Sequence, residues 1–500
     1  LVLPEHGSNQ LEIYNAALFL QPDFPNDDFG EINAGDATTA AAEGNSTYSA
    51  LASLFGRANY VYADRYLFEF TARYDGSSKF ARGHRWGFFP SLSVGWRVME
   101  ESFMEPLRDY IPEFKIRGSI GTVGNQNIDP YQFVPSMESV KSTWLDNNNQ
   151  PITLKQPGLV SGNFTWETVR TLNIGFDLSA LKNRLSANFD LFRRDTKDML
   201  TSGSQLPATL GANAPLQNVA DLKSTGFELE LAWRDQIGKV HYNIGFNLSD
   251  YQSEVTKFDN IERSLSNSYV GQKQGEIWGY ETAGLFQSPD EIADAPTQDK
   301  VSGGIQLIPG DIRFADLDGN GVIDWGDNTV DNPGDKKIIG NSTPRFHYGI
   351  NLGADWKGVD FSVFFQGVAK RDIMMPGLPF RNGYSSEWNV PSGYNTDYWS
   401  KDNTGALFPV PRFNGGSAIG QNQTRYLLNA AYCRLKSLSI GYTLPKEFTS
   451  KFSIEKLRVY FTGENLFTIS NTPEGFDPEL DDPYKYPMQR ACSFGLNLTF

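Results

Sequence analysis

Hydrophobic and polar residues alternate strictly along much of the chain. In residues 66–74, aromatic and aliphatic side chains occupy nearly every second position, with Glu69, Thr71 and Arg73 between them. The same alternation recurs in residues 172–178, 185–191, 227–233 and 242–248. Because successive side chains of a strand point to opposite faces, this pattern predicts β-strands with one apolar and one polar face.

The lengths of the connections between these segments indicate how the strands are arranged. About thirteen spans are predicted from the alternation and the turn signals. They begin near residues 51, 66, 86, 114, 167, 185, 224, 239, 346, 359, 426, 455 and 488. Short turns alternate with much longer connections, as in membrane barrels whose long loops lie on the extracellular side. We therefore predict an all-β fold, an antiparallel transmembrane β-barrel with long extracellular loops.

This arrangement divides the chain into four parts. Residues 1–50 are predicted to be an extracellular loop or break-point segment, and residues 51–250 to contain barrel strands with loops. Residues 251–345 must leave and return on the same side, so they are predicted to form one large extracellular loop. Residues 346–500 hold the last barrel strands. If the short turns are periplasmic, the final strand runs inward and the C-terminus lies in the periplasm.

Composition supports strands as the membrane-spanning elements. Hydrophobic residues make up 39% of the chain and aromatic residues 13%, yet no run approaches the roughly 18 apolar residues of a membrane helix. The net charge of −15 argues against nucleic acid, whose binding needs a basic surface. Cys433 and Cys492 are too few for a disulfide framework, and they form either two free thiols or one bridge.

Residues 316–327 have the spacing of an EF-hand calcium loop. Oxygen ligands are expected at the first, third, fifth, seventh, ninth and twelfth positions of such a loop. These positions hold Asp316, Asp318, Asn320, Val322 with its backbone carbonyl, Asp324 and Asp327. An aspartate replaces the usual final glutamate and no convincing helix flanks the loop, so we predict a structural Ca²⁺ that stiffens the large loop. An Asp-Gly turn cluster without metal is the alternative.

Aromatic residues are concentrated in the second long loop among Ser, Asn, Gly and Asp. They are Tyr384, Trp388, Tyr394, Tyr398 and Trp399. Rings beside polar groups favour binding of sugars or peptides, so these residues are candidate substrate contacts. The alternative is that the rings pack the loop against its neighbours or against a partner.

No catalytic centre is predicted. The four histidines are scattered without metal-ligand spacing, and neither a nucleophile elbow nor a phosphate-binding glycine loop occurs. Carboxylates such as Asp190, Glu228 and Glu230 follow the period of two, which favours lining of a wet lumen over acid–base chemistry. We therefore expect no enzymatic activity and no organic cofactor.

The last eight residues are typical of a barrel's terminal strand. Phe494, Leu496, Leu498 and Phe500 share one face, and the chain ends on an aromatic residue. This pattern resembles the signal by which the outer-membrane assembly machinery recognises its substrates, with Gly495, Leu498 and Phe500 as the residues expected to carry it.

Several short motifs, in this order, resemble the SusC/RagA group of TonB-dependent transporters from the Bacteroidetes outer membrane. The matching stretches are residues 54–60, 73–80, 86–91, 117–121, 124–126, 224–228, 463–467 and 475–479. The resemblance implies a 22-strand barrel around an N-terminal plug. This chain would supply its C-terminal portion, without the plug, the TonB-contacting segment or the first barrel strands.

The resemblance also implies a function and partners. The expected activity is TonB-dependent import of oligosaccharides across the outer membrane, beneath a SusD-like lipoprotein lid, with oligopeptides as the alternative cargo. TonB would act through the missing plug region. A secreted, calcium-stabilised β-sandwich that binds or cleaves carbohydrate would also explain the alternation and the acidic loop. It would not explain the one-sided long loops or the terminal strand. Gliding or adhesion machinery built on a similar barrel is a further alternative.

Overall fold

The computed structural model describes most of the chain. The described residues are 5–20, 40–137, 139–145, 150–202, 209, 211, 214–375, 397–411, 417–473, 476–480 and 485–500, with backbone only for 5–20 and 40–46. Within them, no helix combines the length and the apolar character that crossing a membrane would require.

Strands dominate the described structure. They are β1 Glu5–Leu20, β2 Ala40–Tyr62, β3 Tyr66–Ser77, β4 Trp86–Arg97, β5 Glu113–Asn125, β6 Ser139–Lys141, β7 Ile152–Leu154, β8 Glu167–Ala180, β9 Leu185–Ser202, β10 Leu216–Ile237, β11 Val240–Lys257, β12 Glu276–Tyr280, β13 Thr282–Leu285, β14 Ile312–Phe314, β15 Lys336–Asn341, β16 Arg345–Trp356, β17 Val359–Lys370, β18 Asp372–Met374, β19 Leu427–Asn429, β20 Tyr432–Thr443, β21 Lys456–Glu464, β22 Thr468–Ser470 and β23 Ala491–Thr499. The α-helices are α1 Pro289–Ala293, α2 Asp299–Ser302 and α3 Lys446–Thr449, and 3₁₀ turns cover Val98–Glu100, Ser102–Leu107, Ala418–Gly420, Thr424–Tyr426 and Ser450–Phe452.

One large antiparallel sheet contains the long strands. It has 15 strands, and its path runs β1-β2-β3-β4-β5-β8-β9-β10-β11-β16-β17-β20-β21-β23, with β22 beside β20. Each long strand pairs with its nearest long neighbour along the chain, as in an up-and-down barrel wall. The prediction of an all-β antiparallel barrel fold is confirmed, whereas a β-sandwich of two stacked sheets does not match this single path.

The path holds one strand more than the alternation predicted. The additional strand is β1, and β2 already begins at Ala40, so residues 1–50 are not simply the extracellular loop that we expected. The sequence of β1 alternates only around Leu11, Glu12 and Ile13 and is otherwise uniformly polar or uniformly apolar. A strand that pairs with its neighbour through backbone hydrogen bonds needs no such alternation, which is why the alternation did not predict β1.

The two faces of the sheet differ in the way that a membrane barrel requires. Four phenylalanines form a row across β5, β8, β9 and β10, with ring centroids 5.8 to 6.4 Å apart at successive contacts. On the opposite face Arg117 bonds Asp190 at 2.5 Å and Asp177 at 3.1 Å. On the apolar face Leu172 and Ile174 are 45% and 57% exposed. An apolar face this open favours lipid as its surroundings, with the charged face toward the lumen.

The two longest connections fold together into one unit, here called the cap, comprising the described parts of residues 258–344 and 371–431. Three two-stranded sheets lie in it, β12 with β15, β13 with β14, and β18 with β19. Its core buries Tyr280, Ile312, Phe314, Phe408 and Tyr426 almost completely. β12 and β13 therefore belong to a folded loop and not to the barrel wall, as the parity of the spans predicted.

Candidate functional site

A cavity of about 1150 Å³ lies between the cap and the mouth of the large sheet. Its lining includes amide, hydroxyl, aromatic and charged side chains: Tyr251, Leu265, Gln272, Gln274, Gly275, Glu276, Ile277, Trp278, Asn328, Lys336, Ser342, Thr343, Pro344, Arg371, Ile373, Met374, Asn422 and Glu479. This volume slightly exceeds the range of roughly 300–1,000 Å³ typical of small-molecule sites. The cavity is therefore large enough for an oligomeric ligand.

The cavity opens on the polar face of the sheet. Tyr251, in the second half of β11, continues the alternate positions that include Asn243 and Asn247, and the register of β11 against β10 is unbroken between them. Glu479 reaches the cavity from the loop after β22 and bonds Arg434 of β20. The cavity therefore lies at the junction of the cap with the polar face of the sheet, the face expected toward the lumen of a membrane barrel.

The charged groups of the cavity have different partners. Glu479 is held by Arg434 at 3.1 Å and by Lys436 at 2.7 Å. Glu276 accepts hydrogen bonds from the hydroxyl of Tyr269 and from the backbone N–H of Lys273. The two acidic groups of the cavity are thus already engaged by the protein.

Both basic groups of the cavity donate hydrogen bonds to neutral oxygen atoms. Arg371 donates to the carbonyl oxygens of Ser342 and Pro478, and the ammonium group of Lys336 donates to Asn328 Oδ1 at 3.0 Å. Burial lowers the pKa of Lys336 from its ordinary value, because a half-buried ammonium loses part of its hydration.

The acidic loop of residues 316–327 adopts a compact fold stabilised by its own backbone. Asp316 accepts hydrogen bonds from the N–H groups of Gly319 and Gly321. Asp318 and Asn320 accept from the N–H groups two residues further on. The N–H group of Gly321 does most to hold the pKa of Asp316 below its ordinary value. Gly319 and Gly321 both have positive φ angles, 74° and 83°, which favour glycine at these positions.

Three carboxylates meet at this loop, and one of them was not predicted. Oxygens of Asp316, Asp318 and Asp335 all lie within 4.8 Å of one another. Asp335 is fully buried, and its two oxygens accept from the N–H groups of Leu317 and Asp324. Burial, with the nearby charges of Asp318 and Asp316, raises the pKa of Asp335. Asp335 lies outside the twelve-residue loop, so the spacing could not reveal it.

The last two acidic positions of the predicted ligand set are engaged elsewhere. Asp324 forms an ion pair with Lys300 at 2.7 Å and accepts from the N–H of Gly326. Asp327 accepts from the side-chain amide of Asn332 at 2.8 Å. Neither belongs to the group of three carboxylates, which contains Asp335 instead, because the chain turns back at Gly334 and brings Asp335 under the loop. The roles of Asp324 and Asp327 as ligands stay a prediction.

The predicted aromatic platform is only partly described. Tyr384, Trp388 and Tyr394 lie outside the described residues. Trp399 is 9% exposed, belongs to the core of the cap and donates from its indole N–H to Gln287. Trp399 therefore packs within the cap, and its role as a substrate contact stays a prediction. Tyr398 is 42% exposed.

The chain resembles known proteins over nearly its whole length. A family model described as "TonB dependent receptor-like, beta-barrel" matches residues 7–466. The chain belongs to this family. TonB-dependent receptor P3 of Formosa agariphila is 31% identical to it over 497 residues, covering 93% of the chain and 47% of P3. The SusC receptor of Bacteroides thetaiotaomicron is 28% identical over 489 residues, covering 93% of the chain and 45% of SusC.

A solved structure shares the fold of this TonB-dependent receptor barrel. The RagAB peptide transporter superposes with a TM-score of 0.80 at 23% identity, covering 100% of this chain and 53% of that chain. The predicted resemblance to the SusC/RagA type is confirmed, and the family implies the outer membrane as the location. The chain spans about half the length of the curated relatives that it matches.

The terminal strand of this receptor barrel is the outermost of the path. β23 pairs with β21, so that Gly495 lies opposite Tyr460 and Leu498 opposite Leu457. A side chain at Gly495 would collide with the ring of Tyr460, which explains the glycine. Phe494 and Phe500 are 85% and 83% exposed. The role of Gly495, Leu498 and Phe500 as an assembly signal stays a prediction.

Proposed function

We propose that the chain is the barrel part of a TonB-dependent importer that carries oligosaccharides across the bacterial outer membrane and has no enzymatic activity. The observation that carries this proposal is the cavity at the lumenal mouth. Its amides, hydroxyls and the indole of Trp278 are the groups that bind hydroxyl-rich ligands. Its place between cap and lumen fits a site that a ligand occupies during entry.

Oligopeptide import is the second candidate. The solved neighbour with the same fold is named as a peptide transporter, although a likeness of 23% identity shows the fold alone. The charged groups Glu276, Lys336 and Arg371 in the cavity would suit the charges of a peptide equally well.

Uptake by intact cells separates the two candidates. We would compare a deletion strain with the same strain complemented by the intact gene, using labelled oligosaccharides and labelled oligopeptides of similar mass. In the deletion strain, oligosaccharide uptake is expected to fall to background while peptide uptake is unchanged. In the complemented strain, oligosaccharide uptake is expected to fall to background when the proton-motive force is collapsed. Loss of peptide uptake alone would identify an oligopeptide importer. Unchanged uptake of both would contradict import by this barrel.

We also propose a SusD-like lipoprotein lid above the cap, and TonB as the energy source, acting through a plug. In this arrangement the cap is extracellular, and the C-terminus after β23 is periplasmic. A tag placed after Phe500 is expected to resist protease added to intact cells, whereas a tag in the turn at Gly303–Gly304 is expected to be cleaved. The reverse pattern would contradict the orientation. Purification from native membranes in detergent, followed by mass analysis, tests for the lid.

For the acidic loop we propose a structural Ca²⁺ held by Asp316, Asp318 and Asp335. Calcium takes oxygen ligands at about 2.3–2.6 Å, so carboxylate oxygens within 4.8 Å of one another can share one ion. The ion would offset the mutual repulsion of the three carboxylates and fasten the turn at residue 334 to the loop.

Thermal unfolding with and without Ca²⁺ tests the calcium proposal. Saturating Ca²⁺ at about a hundredfold its Kd should stabilise the cap by roughly 2.7 kcal/mol relative to chelator. Asp318→Asn should abolish that gain and leave the loop folded, since the exposed Asp318 accepts hydrogen bonds from Asn320, which an asparagine oxygen can also accept. Asp331→Asn, at a 69% exposed carboxylate outside the group, should keep the gain. A wild-type protein indifferent to Ca²⁺ would contradict the proposal.

A further inference from the structure

Lys336 is the first residue of β15 and contributes to the wall of the cavity under the cap. Its ammonium group donates one hydrogen bond, to the amide oxygen of Asn328, and lies 5.8 Å from the centre of the Tyr280 ring. Tyr280 is directly opposite Lys336 in the ladder between β12 and β15. The backbone position of Lys336 is therefore fixed by the sheet and by a ring in the core of the cap.

The ammonium group of Lys336 has donors to spare. A lysine carries three N–H donors, and the contacts within the described part of the chain use one of them. Among the described residues, no carboxylate lies within 4.0 Å of Lys336. The acidic residues that share the cavity are engaged by other groups, Glu479 by two basic side chains and Glu276 by a hydroxyl and a backbone N–H.

A half-buried cation in such a setting is costly unless an anion satisfies it. Asn328 does not relieve this cost, because its amide oxygen is neutral and its amide nitrogen is bound to Ser266. A carboxylate from a ligand would provide two acceptor oxygens for the remaining donors, and charge-assisted bonds of this kind are about twice as strong as neutral ones.

We propose that Lys336 forms an anion subsite, so that the ligand of this transporter carries a carboxylate. The inference rests on the proposed import function and narrows its substrate class. The carboxylate belongs either to a uronic acid of an oligosaccharide or to an oligopeptide. Gln272, Gln274, Thr343 and Asn422 surround the same cavity and supply neutral hydrogen bonds to the rest of the ligand.

The adjacent lysine provides a matched control. Lys337 is the next residue of β15, is absent from the cavity lining and pairs with Glu281. Lys337→Met removes the same charge from the same strand, outside the cavity. Lys336→Arg keeps the charge at the cavity, while Lys336→Met removes it at similar length. Lys336→Met and Lys337→Met therefore share any effect that loss of one positive charge has on folding or on the electrostatic field of the cap.

The test measures binding to the full-length transporter, purified in detergent from outer membranes with its co-purifying chains. Four probes are used: an oligogalacturonate, the same oligosaccharide with its carboxyl groups reduced to alcohols, an oligopeptide, and its counterpart with amidated carboxyl groups. Calorimetry gives the dissociation constant of each. Heat-modifiable migration on gels confirms that every variant is folded.

At least one carboxylated probe should bind wild type about tenfold or more tightly than its neutral counterpart, since a charge-assisted bond has this magnitude. Lys336→Met should abolish that difference, and Lys336→Arg and Lys337→Met should retain it. Preference for the oligogalacturonate identifies an acidic glycan, and preference for the free peptide identifies a peptide ligand.

Three results would overturn the proposal. The first is equal binding of carboxylated and neutral probes by wild type, and the second is a carboxylate preference that survives in Lys336→Met. The third is no measurable binding of either carboxylated probe. If the same strain still imports neutral oligosaccharides in that case, the import function stands and only the anion subsite is wrong.

Discussion

Arg434 ties the loop after β22 to the wall of the sheet. Its guanidinium bonds Asp477 at 2.6 Å and Glu479 at 3.1 Å, and all three side chains are at most 10% exposed. Burial raises the pKa of Asp477, but the Arg434 guanidinium and the N–H groups of Met488 and Glu479 outweigh it, so the net pKa lies below the ordinary value. A buried charge cluster of this kind is stable only while it is complete.

Removal of Arg434 gives the first prediction. Arg434→Met leaves the buried Asp477 without its guanidinium partner and Glu479 with Lys436 as its remaining basic partner among the described residues, and it should cost about 3–5 kcal/mol at pH near 8. In wild type the folded pKa of Asp477 is depressed, so its stabilising contribution is present above the unfolded pKa and is lost as pH falls through the folded pKa. In the variant the effect of burial on Asp477 is no longer offset by the guanidinium, so the carboxyl group of Asp477 binds a proton more readily.

The free energy of unfolding that Arg434→Met loses relative to wild type should therefore become smaller as pH falls from about 8 to about 5. Thermal unfolding of the detergent-solubilised protein at both pH values measures it. Arg57→Met is the control, since the pair of Arg57 with Glu69 is 61% and 36% exposed and should contribute at most about 1 kcal/mol. A deficit of Arg434→Met that is constant with pH would mean that packing, not charge, is lost.

Single residues also show what the sequence could and could not reveal about the site. Asp316, Asp318 and Asn320 were recognisable because their spacing is local to one loop. Asp335 was not, since it meets them only when the chain turns back. Trp399 looked like an open platform because its sequence neighbours are polar, yet its side chain is buried in the core of the cap and its indole N–H donates to Gln287. Spacing within one loop predicts the geometry of that loop, whereas contacts between residues distant in sequence become visible only in the three-dimensional structure.

At the scale of elements, the tight turns at one end of the sheet carry backbone strain. Ala63 and Asp64 join β2 to β3 with φ angles of 53° and 54°, and the N–H of Arg65 donates to the carbonyl of Tyr62. Two central residues with positive φ are typical of hairpin turns whose twist matches that of the flanking strands. Alanine is a poor choice for this conformation, which costs a residue with a Cβ about 1–2 kcal/mol.

Relief of that strain gives the second prediction. Asparagine adopts positive φ more readily than alanine, so Ala63→Asn should stabilise the hairpin by about 0.5–1 kcal/mol. Asp64→Ala should have the opposite effect at the neighbouring position. Urea-induced unfolding in detergent measures both variants. If Ala63→Asn destabilises the protein, the side chain of Ala63, and not its backbone angle, determines the turn.

The alternation of residues predicted most long strands and one large loop at residues 251–345, but not how that loop packs against the second connection. The core of the cap combines residues from two connections, such as Ile312 from the first with Phe408 and Tyr426 from the second. Thr282 and Thr424 bond across the same junction. No periodicity within either connection indicates this packing, because the partners lie in two different connections, on either side of β16 and β17 in the sequence.

The shared core gives the third prediction. Phe408 is 2% exposed and stacks on Tyr426 with ring centroids 6.2 Å apart, so Phe408→Ala should cost about 3–5 kcal/mol. Because the cap has its own core, it should open without the sheet. We expect faster proteolysis in both cap connections, with heat-modifiable migration retained. Tyr398→Ala, at a 42% exposed ring, is the control. Cleavage confined to one connection would contradict a common core.

For the molecule as a whole, the decisive feature is that the sheet has two outer strands. Within the described residues, β1 pairs only with β2, and β23 only with β21. Each outer strand presents unpaired backbone N–H and C=O groups along one side. In lipid every such group costs several kcal/mol, which is why membrane sheets close on themselves. In a membrane, the outer edges of β1 and β23 therefore need further strands to pair with, besides β2 and β21.

The fourth prediction follows for residues 1–500 as an isolated polypeptide. Refolded into detergent, it should give no compact, heat-modifiable monomer, and the amides of β23 should exchange far faster than those of β10. β10 is the reference because it pairs on both sides, with β9 and β11. In the full-length transporter the two strands should be protected alike. If β23 is protected equally in the isolated polypeptide, β1 and β23 close the barrel themselves, and the wall needs no further strands.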